Sequence, residues 1–143
     1  MTVASILKEK SDRLISVKET DTLSDVARVL TQENIGAVPV LDAAGQMIGI
    51  ISERDLVRQI AREGAAVLAH PVSSVMTRNV VCCSPDDSIA AMMSMMTSRR
   101  FRHLPVRSDG RIVGMISIGD VVKRRVEDAE REAESLREYI VRG

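Results

Sequence analysis

Two stretches of the 143-residue chain have the residue types and spacing to hold a ligand. Gly49-Ile-Ile-Ser-Glu-Arg-Asp55 and Gly114-Met-Ile-Ser-Ile-Gly-Asp120 each run from an apolar, strand-like segment into a helix-like one, with an aspartate three residues after a serine. A helix N-terminus offers free backbone N–H groups and a partial positive charge, which together seat anions. An ionised carboxylate only accepts hydrogen bonds, so Asp55 and Asp120 suit a vicinal diol such as a ribose. The same spacing is also a capping arrangement, in which Ser52 or Ser117 caps the helix and the aspartate complements its dipole. Capping alone could use other residues. Repetition of one Ser-x-x-Asp spacing therefore weighs toward a shared second role.

A basic run, Arg99-Arg-Phe-Arg-His103, leads into the strand-like Leu104-Pro-Val106. Arginine binds phosphate through a planar fork, and histidine can donate as well. The run is either a solvated loop or one phosphate-binding pole. Other chemistries find less support. Met92, Met93, Met95 and Met96 could bind a soft metal, but their helical spacing fits core packing. Adjacent Cys82 and Cys83 would point to opposite faces of a strand, which disfavours a redox pair. With His70 and His103 they give no zinc spacing. No Ser-His-Asp order, paired catalytic carboxylates or Gly-rich phosphate loop stands out, and no catalytic residue or metal ligand is assigned.

These groups are positioned by a duplicated unit. Ala37-Val-Pro-Val-Leu41, a turn at Gly45, Met47–Ser52 and Asp55 reappear as His103-Leu-Pro-Val-Arg107, a turn at Gly110, Ile112–Ser117 and Asp120. The offset is 66 residues at the prolines and 65 after the turn. Upstream, Leu23, Val26, Ala27 and Leu30 map onto Ile89, Met92, Met93 and Met96. Each copy predicts a short strand (Leu14–Val17, Val80–Cys83), an amphipathic helix, a hairpin and a second helix. Thr22-x-x-Asp25 resembles a capping box, and Asp87 or Ser88 can cap the matching helix. Pro39 and Pro105 suggest edge strands or strand ends.

The expected fold is therefore mixed α/β (α+β): two strand-helix-strand-strand-helix repeats packed about a pseudo-two-fold, with a long C-terminal helix. The boundaries are 1–13 for a leading segment, 14–62 for the first repeat, 63–79 for a linker with a short helical turn, 80–126 for the second repeat and 127–143 for a helical extension. In that helix Val122, Val126, Ala129, Ala133, Leu136 and Ile140 alternate four and three residues apart, a seam along one face. Glu127 and Arg131 are placed for an i,i+4 pair. The seam lies back on its own domain or packs on a second subunit.

Composition narrows the function. Lys plus Arg and Asp plus Glu are each 20, so the formal net charge is zero, and the chain has one Phe, one Tyr and no Trp. Charge balance and scarce aromatics argue against nucleic acid, although Arg99–Arg102 leaves a small opening. No apolar run approaches the roughly 20 residues of a membrane span, and the N-terminus lacks a signal peptide's apolar stretch. A reducing cytoplasm suits the two adjacent cysteines.

The duplicated pattern resembles a tandem pair of CBS domains (cystathionine-β-synthase domains), a Bateman module. It is most similar to small stand-alone bacterial CBS-pair proteins, and the resemblance covers about residues 1–126. It rests on Ala37-Val-Pro-Val40 with Gly49–Asp55, and His103-Leu-Pro-Val106 with Gly114–Asp120. What it implies is a non-catalytic regulatory protein that binds AMP, ADP, ATP, NAD(H) or S-adenosylmethionine in clefts between the repeats and signals through a homodimer to a protein target. By the same resemblance, one site combines Ser16, Val17, Gly36, Ala37 and Val38 with Ser117, Asp120 and a phosphate pole at Arg102 and His103. The other combines Ser52, Arg54 and Asp55 with Val81, Cys82 and Phe101. The first repeat lacks a basic pair equivalent to Arg102 and His103. Alternatives are a ligand-free assembly module and, with less support, an enzyme.

Overall fold

The computed structural model describes residues 1–10 and 13–142. Its order is α1 (Val3–Glu9), β1 (Val17–Lys18), α2 (Leu23–Glu33), β2 (Ala37–Leu41), β3 (Met47–Ser52), α3 (Glu53–Glu63), two 3₁₀ turns (Ala65–Ala69 and Val72–Ser74), α4 (Ile89–Arg99), β4 (His103–Ser108), β5 (Arg111–Ser117) and α5 (Ile118–Arg142). The duplicated helix and hairpin stand as expected, and each helix start has a local cause. Thr22 and Asp25 form a full capping box on α2. On α4 the capping residue is Ser88, whose Oγ accepts from Ala91 N at 3.0 Å. Asp87 instead accepts from Ser84 N at 2.8 Å. Both helices end on a left-handed residue, Asn34 (φ 54°) and Arg100 (φ 59°), which turns the chain into β2 and β4.

The opening strands are shorter than the pattern predicts. β1 is only Val17–Lys18 and pairs parallel with Val40–Leu41. Its counterpart is a single parallel bridge, Cys83 to Val106. The prolines explain the shortening. Pro39 and Pro105 have no N–H to give, so the parallel pairing centres on residues beyond them. β2 is nonetheless the middle strand of its sheet, order β1-β2-β3, while β4-β5 forms a sheet of two. The left-handed residues Gly45 (φ 82°) and Gly110 (φ 78°) sit in the two hairpin turns.

The halves are interlocked. One core gathers Val17, Leu23, Val26, Leu30, Val38, Val40, Ile51 and Leu56, together with Val67, Val72 and Met76 from the connecting stretch. The other gathers Cys83, Ile89, Met92, Met96, Leu104, Val106, Ile116 and Val121, together with Val3 and Ile6 of α1. Thus the segment before the first repeat seals the second, and the segment before the second seals the first. Matching bridges mark the exchange: Thr2 with Ser88, and Thr22 with Pro71. Burial of Met92 and Met96 makes these methionines core.

α3 and α5 begin alike and end differently. Gly64 (φ 81°) caps α3 after 11 residues, whereas α5 runs 25 residues. Only its first part is packed. Val121 and Arg124 are buried, while every residue from Ala129 to Arg142 is exposed. The seam does not lie on its own domain: Val122, Val126, Leu136 and Ile140 are 42%, 50%, 63% and 74% exposed. Arg124 is the cation that Glu127 faces, at 4.0 Å one turn back, where the sequence suggested Arg131.

Candidate functional site

The two junctions begin from a sheet register. Ala37 pairs with Ser52 and His103 with Ser117 across the hairpins. Beyond them Glu53 N donates to Gly36 O at 2.9 Å and Ile118 N to Arg102 O at 2.8 Å. Both serines close capping boxes. Ser52 N donates to Asp55 Oδ2 at 2.9 Å and Ser117 N to Asp120 Oδ2 at 2.8 Å. Asp55 N and Asp120 N donate back to the serine hydroxyls at 3.3 and 3.1 Å. The capping reading is therefore correct for both copies, and any ligand role is added to it.

A cavity of about 840 Å³ lies at the second of these junctions. It brings Gly36 and Ala37 of the first repeat against Arg102, His103, Ser117 and Asp120 of the second, six of the nine residues expected at that site. The early strand contributes Leu14 and Ile15 rather than Ser16 and Val17. Val38, 0% exposed, faces the first core while its strand neighbours Ala37 and Pro39 line the cavity. Val17, 4% exposed, is buried in the same core. None of Ser52, Arg54, Asp55, Val81, Cys82 and Phe101 lines this cavity. Val81 and Phe101 pack on the second core, Arg54 is exposed, and Cys82 Sγ lies 4.0 Å from Arg107 Nη2.

Four charged residues lining the cavity were not foreseen, and two of them, Arg13 and Glu33, pair with each other at 3.5 Å. Lys10 Nζ lies 2.8 Å from Asp120 Oδ2 and 3.1 Å from Met115 O. Glu53 also lines the space. A Cβ on Gly36 would stand 3.0 Å from His103 Nε2 and 3.5 Å from Glu53 Oε1, so the missing side chain leaves room for the imidazole. The exchanged segments run at an offset of 69: Thr2 bridges Ser88 as Pro71 bridges Thr22, and Leu7 lies beside Gly114 as Met76 lies beside Gly49. Lys10 then answers Asn79. One cleft thus has a cation where the other has an amide, a distinction visible only after the segment exchange is known.

The electrostatics follow. Burial raises the Asp120 carboxyl, but the bonds from Lys10 and Ser117 outweigh it and hold the group below its ordinary 3.8. Burial lowers His103 below 6.5, against the weaker upward pull of Glu53 and Asp120. At neutral pH the cavity therefore presents an ionised carboxylate and an uncharged imidazole beside the Arg102 guanidinium. Burial pushes the Cys83 thiol up to about 12, which makes it unreactive core. Among the described residues no group of three or more His, Cys, Asp or Glu is placed to hold a metal ion.

A family model for the CBS domain matches residues 3–62 and again 72–127. The chain belongs to the CBS-domain family. The first match includes α1, and the two together make a tandem CBS pair. The crystal structure of the CBS-domain containing protein ATU1752 from Agrobacterium tumefaciens is 44% identical, with a TM-score of 0.83, covering 87% of this chain and 99% of that one. The CBS domain-containing protein CBSX3, mitochondrial, from Arabidopsis thaliana is 36% identical over 127 residues, 86% of this chain. The CBS pair spans 62% of that relative's length, less than two thirds. The CBS pair of protein MJ0100, solved with 5′-methylthioadenosine and S-adenosyl-L-methionine, shares the fold at 23% identity and a TM-score of 0.79, covering 90% of this chain and 98% of that one. CBS pairs are regulatory modules. No described helix is long and apolar enough to cross a membrane.

Proposed function

We propose that this CBS pair is a non-catalytic regulatory protein that binds an adenosine-containing ligand in the cavity at Asp120 and acts through a homodimer on a protein target. The carrying observation is the convergence of Asp120, Ser117, Arg102 and His103 with the Gly36-Ala37 backbone on one cavity. Among the described residues, the hydrogen bonds of the Asp120 carboxylate use Oδ2, which leaves Oδ1 to accept from a ribose hydroxyl. Arg102 is placed to meet a phosphate, and His103 to donate once protonated. The apolar wall at Leu14 and Ile15 suits the base. AMP, ADP, ATP, NAD(H) and S-adenosylmethionine all carry this adenosine unit, and MJ0100, a protein of the same fold, holds two adenosine compounds. The cleft at Ser52, Arg54 and Asp55 with Val81, Cys82 and Phe101 is the second, weaker site in this reading, because it has no cation in the Lys10 position.

Calorimetric titration with AMP, ATP, NADH and S-adenosylmethionine tests the proposal. One ligand should bind at micromolar strength, and Asp120→Ala should lose it. Undiminished affinity in Asp120→Ala would overturn the assignment of the site. No binding by any of them to protein shown free of copurified nucleotide would leave the assembly-module reading in its place.

A further inference from the structure

We infer that the exposed face of α5 is a parallel, in-register coiled-coil interface with a second copy of this chain. The inference rests on the homodimer of the preceding section and names the surface that forms it. Two observations carry it. First, all residues from Ala129 to Arg142 are exposed, yet they continue the helix. An isolated helix of about that length is marginal in water and needs packing to persist. Second, the seam is flanked by charges that select both partner and direction.

With Val126, Ala133 and Ile140 at the a positions of a heptad, Val122, Ala129 and Leu136 fall at d. The flanking g positions hold Arg125 and Glu132, and the e positions hold Glu130 and Arg137. All four are exposed. In a parallel pair each g residue meets the e residue five positions further along the partner. Arg125 then faces Glu130 and Glu132 faces Arg137, each twice by symmetry, and every contact is attractive. The antiparallel register that overlaps the whole seam sets Val122 against Ile140 and Ala129 against Ala133. It brings Glu130 to Glu130, Glu132 to Glu132 and Lys123 to Arg137, which are all like-charged. A second copy therefore fits in parallel and is repelled in antiparallel.

Two charge-reversed variants test this in the intact chain. Arg125→Glu with Arg137→Glu makes all four flanking positions acidic; Glu130→Arg with Glu132→Arg makes all four basic. Each variant alone should dimerise at least about tenfold more weakly by sedimentation equilibrium, and an equimolar mixture should recover the dimer. Orientation is read from Ile140→Cys in a Cys82→Ala, Cys83→Ala background. A parallel pair brings the two thiols together, whereas the antiparallel register holds them about 27 Å apart. Prompt disulfide formation in the dimer is expected. A dimer that ignores both charge reversals, or one that fails to cross-link, overturns the interface while leaving ligand binding and dimerisation intact. A monomer at every concentration overturns the interface together with the homodimer. Circular dichroism of the charge variants separates lost association from lost folding.

Discussion

Lys10 Nζ lies 2.8 Å from Asp120 Oδ2, joining residues 110 positions apart in the chain. The contact ties the segment after α1 to the first turn of α5, and it exists because α1 packs on the second repeat rather than the first. The ammonium is 39% exposed and the carboxylate 25%, so the pair contributes less than about 1 kcal/mol at neutral pH. Its larger effect is on titration. Asp120 is held below 3.8, so its contribution is complete above about pH 4 and disappears as the pH falls through the lowered value. Lys10→Met should therefore cost little at pH 7 and flatten the acid side of the stability curve below about pH 4. Urea denaturation at pH 7 and pH 3 checks both halves. Equal loss at the two pH values would mean that Lys10 acts by packing alone.

Asp55 and Asp120 permit capping and ligand binding to be separated. Each closes a capping box with its serine. Asp55→Ala and Asp120→Ala should therefore each lower stability by about 0.5–2 kcal/mol. Only Asp120→Ala should also weaken the tight titration, by about tenfold or more, the value of one lost charge-assisted bond to the ribose. Thermal melts and calorimetry on the same preparations read the two effects independently. Equal loss of affinity in both variants would place the ligand at both clefts.

His103 should couple ligand binding to protons. Glu53, Asp120, Lys10 and Arg102 all act on it, and burial keeps it below 6.5. In the unliganded protein the unfolded state accepts this proton more readily, so stability falls as the pH drops below about 6.5. A ligand phosphate beside the ring favours the imidazolium and reverses the trend. Affinity for AMP should rise as the pH falls from about 7.5 to 5.5, with net proton uptake on binding. Calorimetry in buffers of different ionisation enthalpy measures that uptake. The phosphate of AMP titrates in the same range, so His103→Gln is the reference. Identical uptake in His103→Gln would remove His103 from the phosphate pole.

Much of this arrangement was legible in the chain. The offset of 66 residues, falling to 65 after the hairpin turn, placed both hairpins and both Ser-x-x-Asp junctions, because Pro39/Pro105, Gly49/Gly114 and Asp55/Asp120 each answer a local backbone requirement. Six of nine expected residues line the cavity for the same reason. Lys10 and Glu53 were not legible. Lys10 reaches the site only through α1, a helix of seven residues whose tertiary partner has no local signature. Val38 was misplaced by strand alternation, since its neighbours Ala37 and Pro39 are the ones that line the cavity. Ser16 and Val17 were misplaced because the cavity meets the chain at Leu14 and Ile15, before the two-residue β1.

Gly36 and Gly49 test whether backbone approach builds the cavity or only the fold. A Cβ at Gly36 would meet His103 Nε2 at 3.0 Å and Cε1 at 3.1 Å. The imidazole is a side chain at the cavity edge and can move a few tenths of an ångström. Gly36→Ala should then leave stability nearly unchanged and weaken the ligand several-fold, since a shift of that size spoils hydrogen-bond geometry. Gly49 is different. Its Cβ would stand 2.7 Å from the Met76 sulfur and 2.9 Å from Thr77 O. The methionine tip could yield, but Thr77 is held by a two-way bridge to Ile50, with both bonds at 2.9 Å. Gly49→Ala should destabilise the protein by about 1–3 kcal/mol, as overpacking against fixed atoms does. Its ligand affinity should stay close to that of the parent at a temperature where the variant is folded. Denaturation midpoints and titrations of the two variants side by side decide the matter. A stability loss at Gly36 with unchanged affinity would place the ligand away from His103, and an affinity loss at Gly49 would bring the second cleft into use.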